Sequence, residues 1–437
     1  MTTVSIASRP STPVKLDWRL FAFTLIAVLH FANAFADLFN RPLTTEMLTA
    51  REPSNPLYTY SFGLVHLAAL LLILPVWQSA KALLRRNLWI VFLVGLALVS
   101  SLWSLSPSIT IRRGISMLGS FALVLYLAIR ISPADYMRVL KWMALIFVYS
   151  TPLIVFLLPA YGKGAGVWAD AWRGITAHKN GLGWMMVLSI VIMTYAPRLG
   201  VASRKLSLFT VLLAFICLVM AKSSTGFLAM FVAASIFCTI GLMRQVKGHR
   251  LLVGLMLLSL IGCVALVAGP ISEAVLAALG KNPTLSGRTA IWDQLFLAMA
   301  ERPLLGWGYR AFWESNYAAE LMSPLGFFAG HAHNGYLDMI MDLGLIGLVI
   351  YVTATLIAIV KLLLASLEND DFAACQLVMM LTCLFIGFSG PVVLRPNTIY
   401  FILTCAPILY ASRLGRALTP ARPAGRGLAS MREMRRA

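Results

Sequence analysis

What most constrains this chain is a succession of apolar runs, each long enough to cross a bilayer and most separated from the next by a few polar residues. They fall at about 18–36, 57–77, 88–103, 114–131, 136–158, 181–196, 206–221, 225–243, 251–268, 336–364, 372–390 and 398–412. A hydrocarbon core about 30 Å thick needs roughly 20 apolar residues from a helix, and backbone groups in lipid must be satisfied within the segment. The expected fold is therefore all-α, a polytopic transmembrane bundle of about twelve helices. A charged content of 12% against 59% hydrophobic residues agrees, since soluble domains carry roughly 25% charge. No polar interval outside 285–345 is long enough to bury a core of its own, so the bundle itself must carry the function.

Lysine and arginine orient the helices. Residues 1–17 hold Arg9 and Lys15 but no short apolar core with a small-residue cleavage site, and read as a cytoplasmic leader. With that end inside, most of the 36 lysines and arginines fall on the inner side, in alternate short loops and in an arginine-rich cytoplasmic tail, 413–437. The tail is expected to be disordered and drawn to anionic inner-leaflet lipid. Helices one to nine then span 18–268, a long periplasmic loop covers 269–335, and helices ten to twelve span 336–412. The formal charge of +19 does not form one patch, which argues against nucleic acid as a partner. All six cysteines lie in apolar runs, without a CxxC pair, so neither disulfides nor a zinc site is expected.

With that orientation, cations gather at the outer boundary, where short outer loops avoid them. They are Arg112 and Arg113 before the fourth helix, Arg173 with His178, Lys179 and Asn180 before the sixth, Lys222 in the turn between the seventh and eighth, Arg288, and Arg395 before the last. A bound polyanion would account for that bias. Ser286 as an N-cap, Pro303 as a stop, and Ile291, Trp292, Leu295, Phe296 and Met299 at helical spacing predict an amphipathic helix over 287–301 lying on the bundle. Arg288 in its first turn would join its guanidinium to the helix N-terminus as a phosphate site, although a single such arginine also suits lipid head groups.

His331 and His333 precede a helix that Asn334 or Gly335 starts. A neutral imidazole there can take a proton from a sugar hydroxyl, or simply cap the helix. No metal site is expected, because the nearest further ligands, Asp338 and Asp342, fall in the following helix. No cofactor fingerprint occurs either. His30 and His66, inside apolar runs, read as packing residues. Trp292, Trp307, Tyr309, Phe312, Trp313 and Tyr336 suit either sugar stacking or a membrane-interface belt.

The stretches WSLSPSITIRRG, WRGITAHKNGLG, SGRTAIW, RPLLGWGYRAFW and HAHNGYLDMIMDLGLIGLVIY resemble the O-antigen ligase and polysaccharide polymerase superfamily, and within it the exopolysaccharide polymerases of the ExoQ type. The resemblance runs in order from 101 to 351. It implies a bacterial inner-membrane glycosyltransferase, with both termini cytoplasmic, whose donor is a glycan on undecaprenyl pyrophosphate. It also implies a glycan acceptor and other polysaccharide-assembly proteins as partners, with membrane lipids around the chain. By the same resemblance Arg173 and Arg288 match the arginines that hold the pyrophosphate, and His333 the essential histidine, with His331 beside it. On that expectation Arg112 or Arg113, Lys222 and Arg395 assist the arginines, while His178, Asn180 and Asn334 complete the site. The expected product is polymerised exopolysaccharide, with O-antigen ligation as the alternative. A flippase would line a path through the bilayer with its cations and show an internal repeat, and an assembly scaffold would have no use for such a site.

Overall fold

A computed structural model describes residues 17–35, 56–246, 248, 288–326 and 329–414. Its regular elements are helical, and pairing among the described residues is limited to an isolated bridge between Lys163 and Trp172. We number the helices α1 (Trp18–Phe31), α2 (Pro56–Ile73), α3 (Trp77–Arg86), α4 (Leu88–Val99), α5 (Pro107–Arg130), α6 (Pro133–Leu157), α7 (Lys179–Tyr195), α8 (Arg204–Met220), α9 (Ser224–Gln245), α10 (Arg288–Glu301), α11 (Asn316–Met322), α12 (Gly335–Leu367), α13 (Asp371–Ile386) and α14 (Ile399–Leu414). The ninth expected run, 251–268, lies outside the described residues, as do Ser286, Gly287, the tail beyond 414 and most of the leader. Each of the other eleven runs holds a helix.

Five stretches are both long and apolar enough to cross a membrane: Pro56–Arg86, Pro107–Arg130, Pro133–Leu157, Ser224–Gln245 and Gly335–Leu367. The shorter apolar helices α1, α4, α13 and α14 pack among them. Side chains sort as a bilayer demands. Helices α7, α13 and α14 are apolar on all sides and buried along nearly their whole length, forming the centre. Around them Leu64, Leu67 and Leu71 on α2, Leu208, Leu212 and Phe215 on α8, and Val349, Leu356 and Val360 on α12 face outward and exposed. So much outward apolar surface is stable only against lipid, and the chain is a multi-pass membrane protein.

Polar caps fix where the helices begin. Ser132, Ser203, Ser223 and Asp370 each accept a backbone N–H from the first turn of α6, α8, α9 and α13, satisfying a donor that the helix cannot. At the same end as Ser132, Ser203 and Asp370, Arg244 meets Asp371 at 2.7 Å and the Ser366 carbonyl at 2.8 Å, while the Asn87 amide donates to Ser412 at 2.8 Å. Charge here serves to lock helix ends together.

The opposite end is built around a break in α12. Gly344 adopts φ 64° and ψ −168°, which interrupts the ladder that would run on from Met341 and Asp342. The segment from Pro303 to Gly308 enters the gap. Leu345 and Ile346 donate to the Pro303 and Leu304 carbonyls at 2.8 and 3.2 Å, and Trp307 and Gly308 donate to the Met341 and Asp342 carbonyls at 2.7 and 3.1 Å. The strap thus takes up the very groups that the break releases. A Cβ on Gly306, itself at φ 65°, would lie 2.7 Å from the Gly344 nitrogen, so the approach requires glycine. Above it a small second core gathers Ile291, Leu295, Trp307, Phe312, Met322 and Ala332.

Three expectations are corrected. The fourth helix begins at Pro107, seven residues early, because Ser106 and Pro107 give it a start; Arg112 and Arg113 therefore lie within α5 and not before it. On α10 the buried face is Ile291, Leu295 and Ala298, whereas Phe296 points outward at 53% exposure. The eleventh helix stops at Ile386, and 387–398 folds into a loop pinned by Asn397 to Ser116 and Ser120 of α5.

Candidate functional site

His331 and His333 lie where the strap, α10 and the start of α12 meet. Asn334 caps α12 by accepting from the Tyr336 and Leu337 N–H groups at 3.0 and 3.4 Å. Just before it, His333 adopts φ 53°, and its backbone N–H donates to His331 Nδ1 at 3.1 Å. That bond leaves the ring proton of neutral His331 on Nε2. The two rings pack edge to face with centroids 4.0 Å apart. Between them, the Ala332 N–H donates to Asp338 Oδ1 at 2.8 Å, and its carbonyl accepts from Trp292 Nε1 of α10 at 2.9 Å. Trp313 Nε1 donates to the same carboxylate oxygen at 2.8 Å. The histidine loop is therefore held from three elements.

One cleft opens on the His331 side. It encloses about 90 Å³ and is lined by Arg113, Arg310, Glu314, His331, Asp338, Asp342 and Arg395, with Tyr309 and Trp313. Each cation arrives by its own route. Arg113 comes from the second turn of α5 and meets Glu314 at 2.7 Å. Arg310 follows the strap at φ 55°. Arg395 rides on the loop after α13, where Tyr309 donates to the Leu394 carbonyl at 2.7 Å and the Arg395 guanidinium reaches the Pro391 carbonyl at 3.4 Å. Arg310, more than burial, pushes Arg395 down to about 9. Burial, then the neighbouring His333, Arg395, Arg288 and Arg310, push His331 down to about 3, so it is neutral at pH 7.

The His333 side shares Arg288 with His331 and adds His178. Burial lowers the His333 pKa first, followed by Arg288 and His178. Arg288 opens α10 and is itself lowered by burial. His178 caps α7, accepting the Asn180 N–H at 3.2 Å, and the Asn180 side-chain oxygen accepts from Ser223 at 3.0 Å. A smaller cleft of about 40 Å³ lies beside His178, lined also by Lys163, Trp168, Arg173 and Lys179. Arg173 is buried and donates to the Lys163 and Thr176 carbonyls at 3.1 Å each, which shapes the loop ahead of α7. Lys179 donates to the Lys222 carbonyl at 2.9 Å. The side chains of Lys222 and Arg112 are exposed and line neither cleft.

The structure thus brings His331, His333, Arg288 and His178 into one neighbourhood, and sets Arg113 and Arg395 around a cleft with Arg310, which the sequence reading passed over. Asp338 and Asp342 were weighed there only as metal ligands. Their spacing held the signal, because two carboxylates at i and i+4 in an apolar helix share one face and need partners. Trp307 and Phe312 are core side chains, at 5% and 0% exposure, and present no face for sugar stacking, while Tyr309, at 2%, is held in the wall of the first cleft. His30, bonded to Ser61 at 2.8 Å and stacked on Phe62, is likewise packing. Among the described residues no three His, Cys, Asp or Glu side chains gather to hold a metal ion.

Comparison with known proteins falls on the superfamily that the motifs resemble. Residues 209–352 match the model of a family described as O-antigen ligase. The chain is also 27% identical over 313 residues to the exopolysaccharide production protein ExoQ of Rhizobium meliloti (strain 1021), covering 67% of this chain and 70% of that protein.

Proposed function

From a chain that matches O-antigen ligase over residues 209–352 and resembles an exopolysaccharide production protein, we propose a membrane glycosyltransferase that polymerises oligosaccharide units carried on undecaprenyl pyrophosphate. In this reading the bundle has about twelve crossings and sits in the bacterial inner membrane, with both termini in the cytoplasm and the histidine end facing the periplasm. The observation that carries it is the pair of neutral imidazoles set 4.0 Å apart among arginines at one end of the bundle. Elsewhere among the described residues, His178 also lies among cations, but it is a single imidazole and its Nδ1 caps α7.

The acceptor hydroxyl oxygen attacks the anomeric carbon of the donor sugar as the bond from that carbon to the pyrophosphate oxygen breaks. His333 takes the hydroxyl proton, and its lowered pKa keeps it able to accept one. The leaving lipid pyrophosphate gathers negative charge, which Arg288 neutralises at the helix start, with the cleft that holds Arg173 and His178 extending the cationic surface. Direct displacement inverts the anomeric configuration. The energy for the new bond arrives with the donor, so the step draws on no cofactor.

A second reading keeps the site and changes the acceptor: transfer of the finished glycan to lipid A core, favoured by the description of the matching family. One experiment separates them. In a deletion strain, lipid-linked single repeats that accumulate while high-mass exopolysaccharide disappears, restored by wild type but by neither His333→Ala nor Arg288→Ala, identify a polymerase. Polymer that forms but never reaches lipid A core identifies a ligase, and an unchanged glycan profile defeats both.

A further inference from the structure

Cations at the outer end form two groups around the histidine pair. Arg113, Arg310 and Arg395 line a cleft together with His331 that includes neither Arg288 nor His333, whereas Arg288 lies outside that cleft and acts on both histidines, with His178 acting on His333. We propose that the cleft lined by Arg113, Arg310, His331 and Arg395 is a second anion site, which takes a negatively charged group of the acceptor. That group is either a phosphate of a lipid-linked glycan or the carboxylate of an acidic sugar. The inference rests on the function proposed above and goes beyond it by giving the acceptor a recognition chemistry.

Three observations lead there. The first is size. A cavity of about 90 Å³ is well below the roughly 300 to 1,000 Å³ of a site that holds a whole small molecule, and suits one oxyanion with the sugar outside it. The second is charge. Three guanidinium groups converge on that space, and Arg310 crowds Arg395 closely enough to be the foremost influence on it. Glu314 pairs with Arg113, Asp338 spends one oxygen on Ala332 and Trp313 while the other finds no partner, and Asp342 completes the facing acids. These carboxylates make the cluster tolerable, and a bound oxyanion would give Arg310 and Arg395 the bidentate partner that guanidinium groups favour. The third is construction. Arg310 sits on a strap threaded into a broken helix, and Arg395 on a loop stapled by Asn397 to α5. Both are delivered by unusual backbone, at φ 55° for Arg310 and at φ 49° and 58° for Leu394 and Asn397 either side of Arg395.

The arrangement also answers a physical need. Joining two lipid-linked units brings two pyrophosphates toward one reaction centre, where their charges repel. A cationic cleft beside His331, distinct from Arg288, holds the acceptor's charge apart from the donor's while the hydroxyl and the anomeric carbon meet at the base.

The test uses full-length protein in nanodiscs, titrated separately with labelled inorganic pyrophosphate and with glucuronate. Wild type should bind with two classes of site across the two probes. Arg310→Gln and Arg395→Gln should each weaken one class at least tenfold and leave the other, while Arg288→Gln does the reverse. The probe lost with Arg310→Gln names the group: pyrophosphate points to a lipid-linked acceptor, glucuronate to an acidic sugar. Thermal unfolding equal to wild type shows that the variants are folded, and Arg310→Gln, on a half-exposed side chain, serves if Arg395→Gln does not fold. A single class of site for both probes, unaffected by Arg310→Gln, overturns the second site. If instead Arg288→Gln alone leaves binding untouched, the donor assignment fails and the acceptor cleft stands.

Discussion

His333 occupies a left-handed backbone position that costs a non-glycine residue about 1 kcal/mol or more, and the bond from its N–H to His331 holds it there. Its chemistry follows from its neighbours. Burial and Arg288 lower its pKa below the ordinary 6.5, so a larger fraction stays neutral as the medium turns acid. Polymer formation by purified protein should therefore hold its rate as pH falls through 6.5 and decline only below it. Replacing Arg288 with Gln removes a positive neighbour and raises the His333 pKa, so the acid limb should move to higher pH; a limb that stays in place would assign it to another group. Asp338 supports the same loop through Ala332 and Trp313. Asp338→Ala should lower kcat by about 100-fold, the cost of roughly 1 Å of misplacement, while Asp338→Asn keeps an acceptor oxygen and loses less. Equal kcat values in the two variants would show that the carboxylate charge, not the hydrogen bonds, is what matters.

At the scale of elements, the strap and the break in α12 depend on one another. A side chain on Gly344 would run into the Leu304 backbone and would also have to sit at φ 64° and ψ −168°, a region essentially reserved for glycine, at a backbone cost of about 1–3 kcal/mol. Gly344→Ala should lower the thermal midpoint in detergent by several degrees. Gly95→Ala, in α4 with open space around it, should be neutral or slightly stabilising. Similar melting of the two would mean that the strap does not depend on the break. This element also marks the limit of what was legible. Apolar periodicity located the helices because burial in lipid is written residue by residue. It could not show that GLIG in α12 opens to admit PLLGWG from forty residues earlier, because that pairing satisfies backbone groups and leaves no side-chain pattern. Arg310 was missed for the same reason. His331, His333 and Arg288 were legible because a helix start and a histidine pair are local features.

For the whole molecule, charge is divided by end. At the end away from the histidines, Arg244, Asp371 and the Ser366 carbonyl tie α9, α12 and α13 together, with the two side chains 16% and 26% exposed. Asp371→Ala should destabilise the bundle by about 1–3 kcal/mol, between the values for exposed and fully buried pairs, while leaving pyrophosphate affinity at the other end unchanged. Affinity falling in step with stability would show that the two ends are coupled.

The threaded strap also bears on the order of assembly. Its partner groups on α12 lie some forty residues further along the chain, so during synthesis the strap emerges with no counterpart waiting for it. Until α12 arrives, Arg310 has no fixed address and the glycines around it are open to proteases. A nascent chain halted before Gly335 should be cut in the strap, and one released after Leu367 should resist. Competence to bind substrate would then come late in this protein's birth, begun by a helix that must be broken to receive the strap and completed when the loop after α13 delivers Arg395.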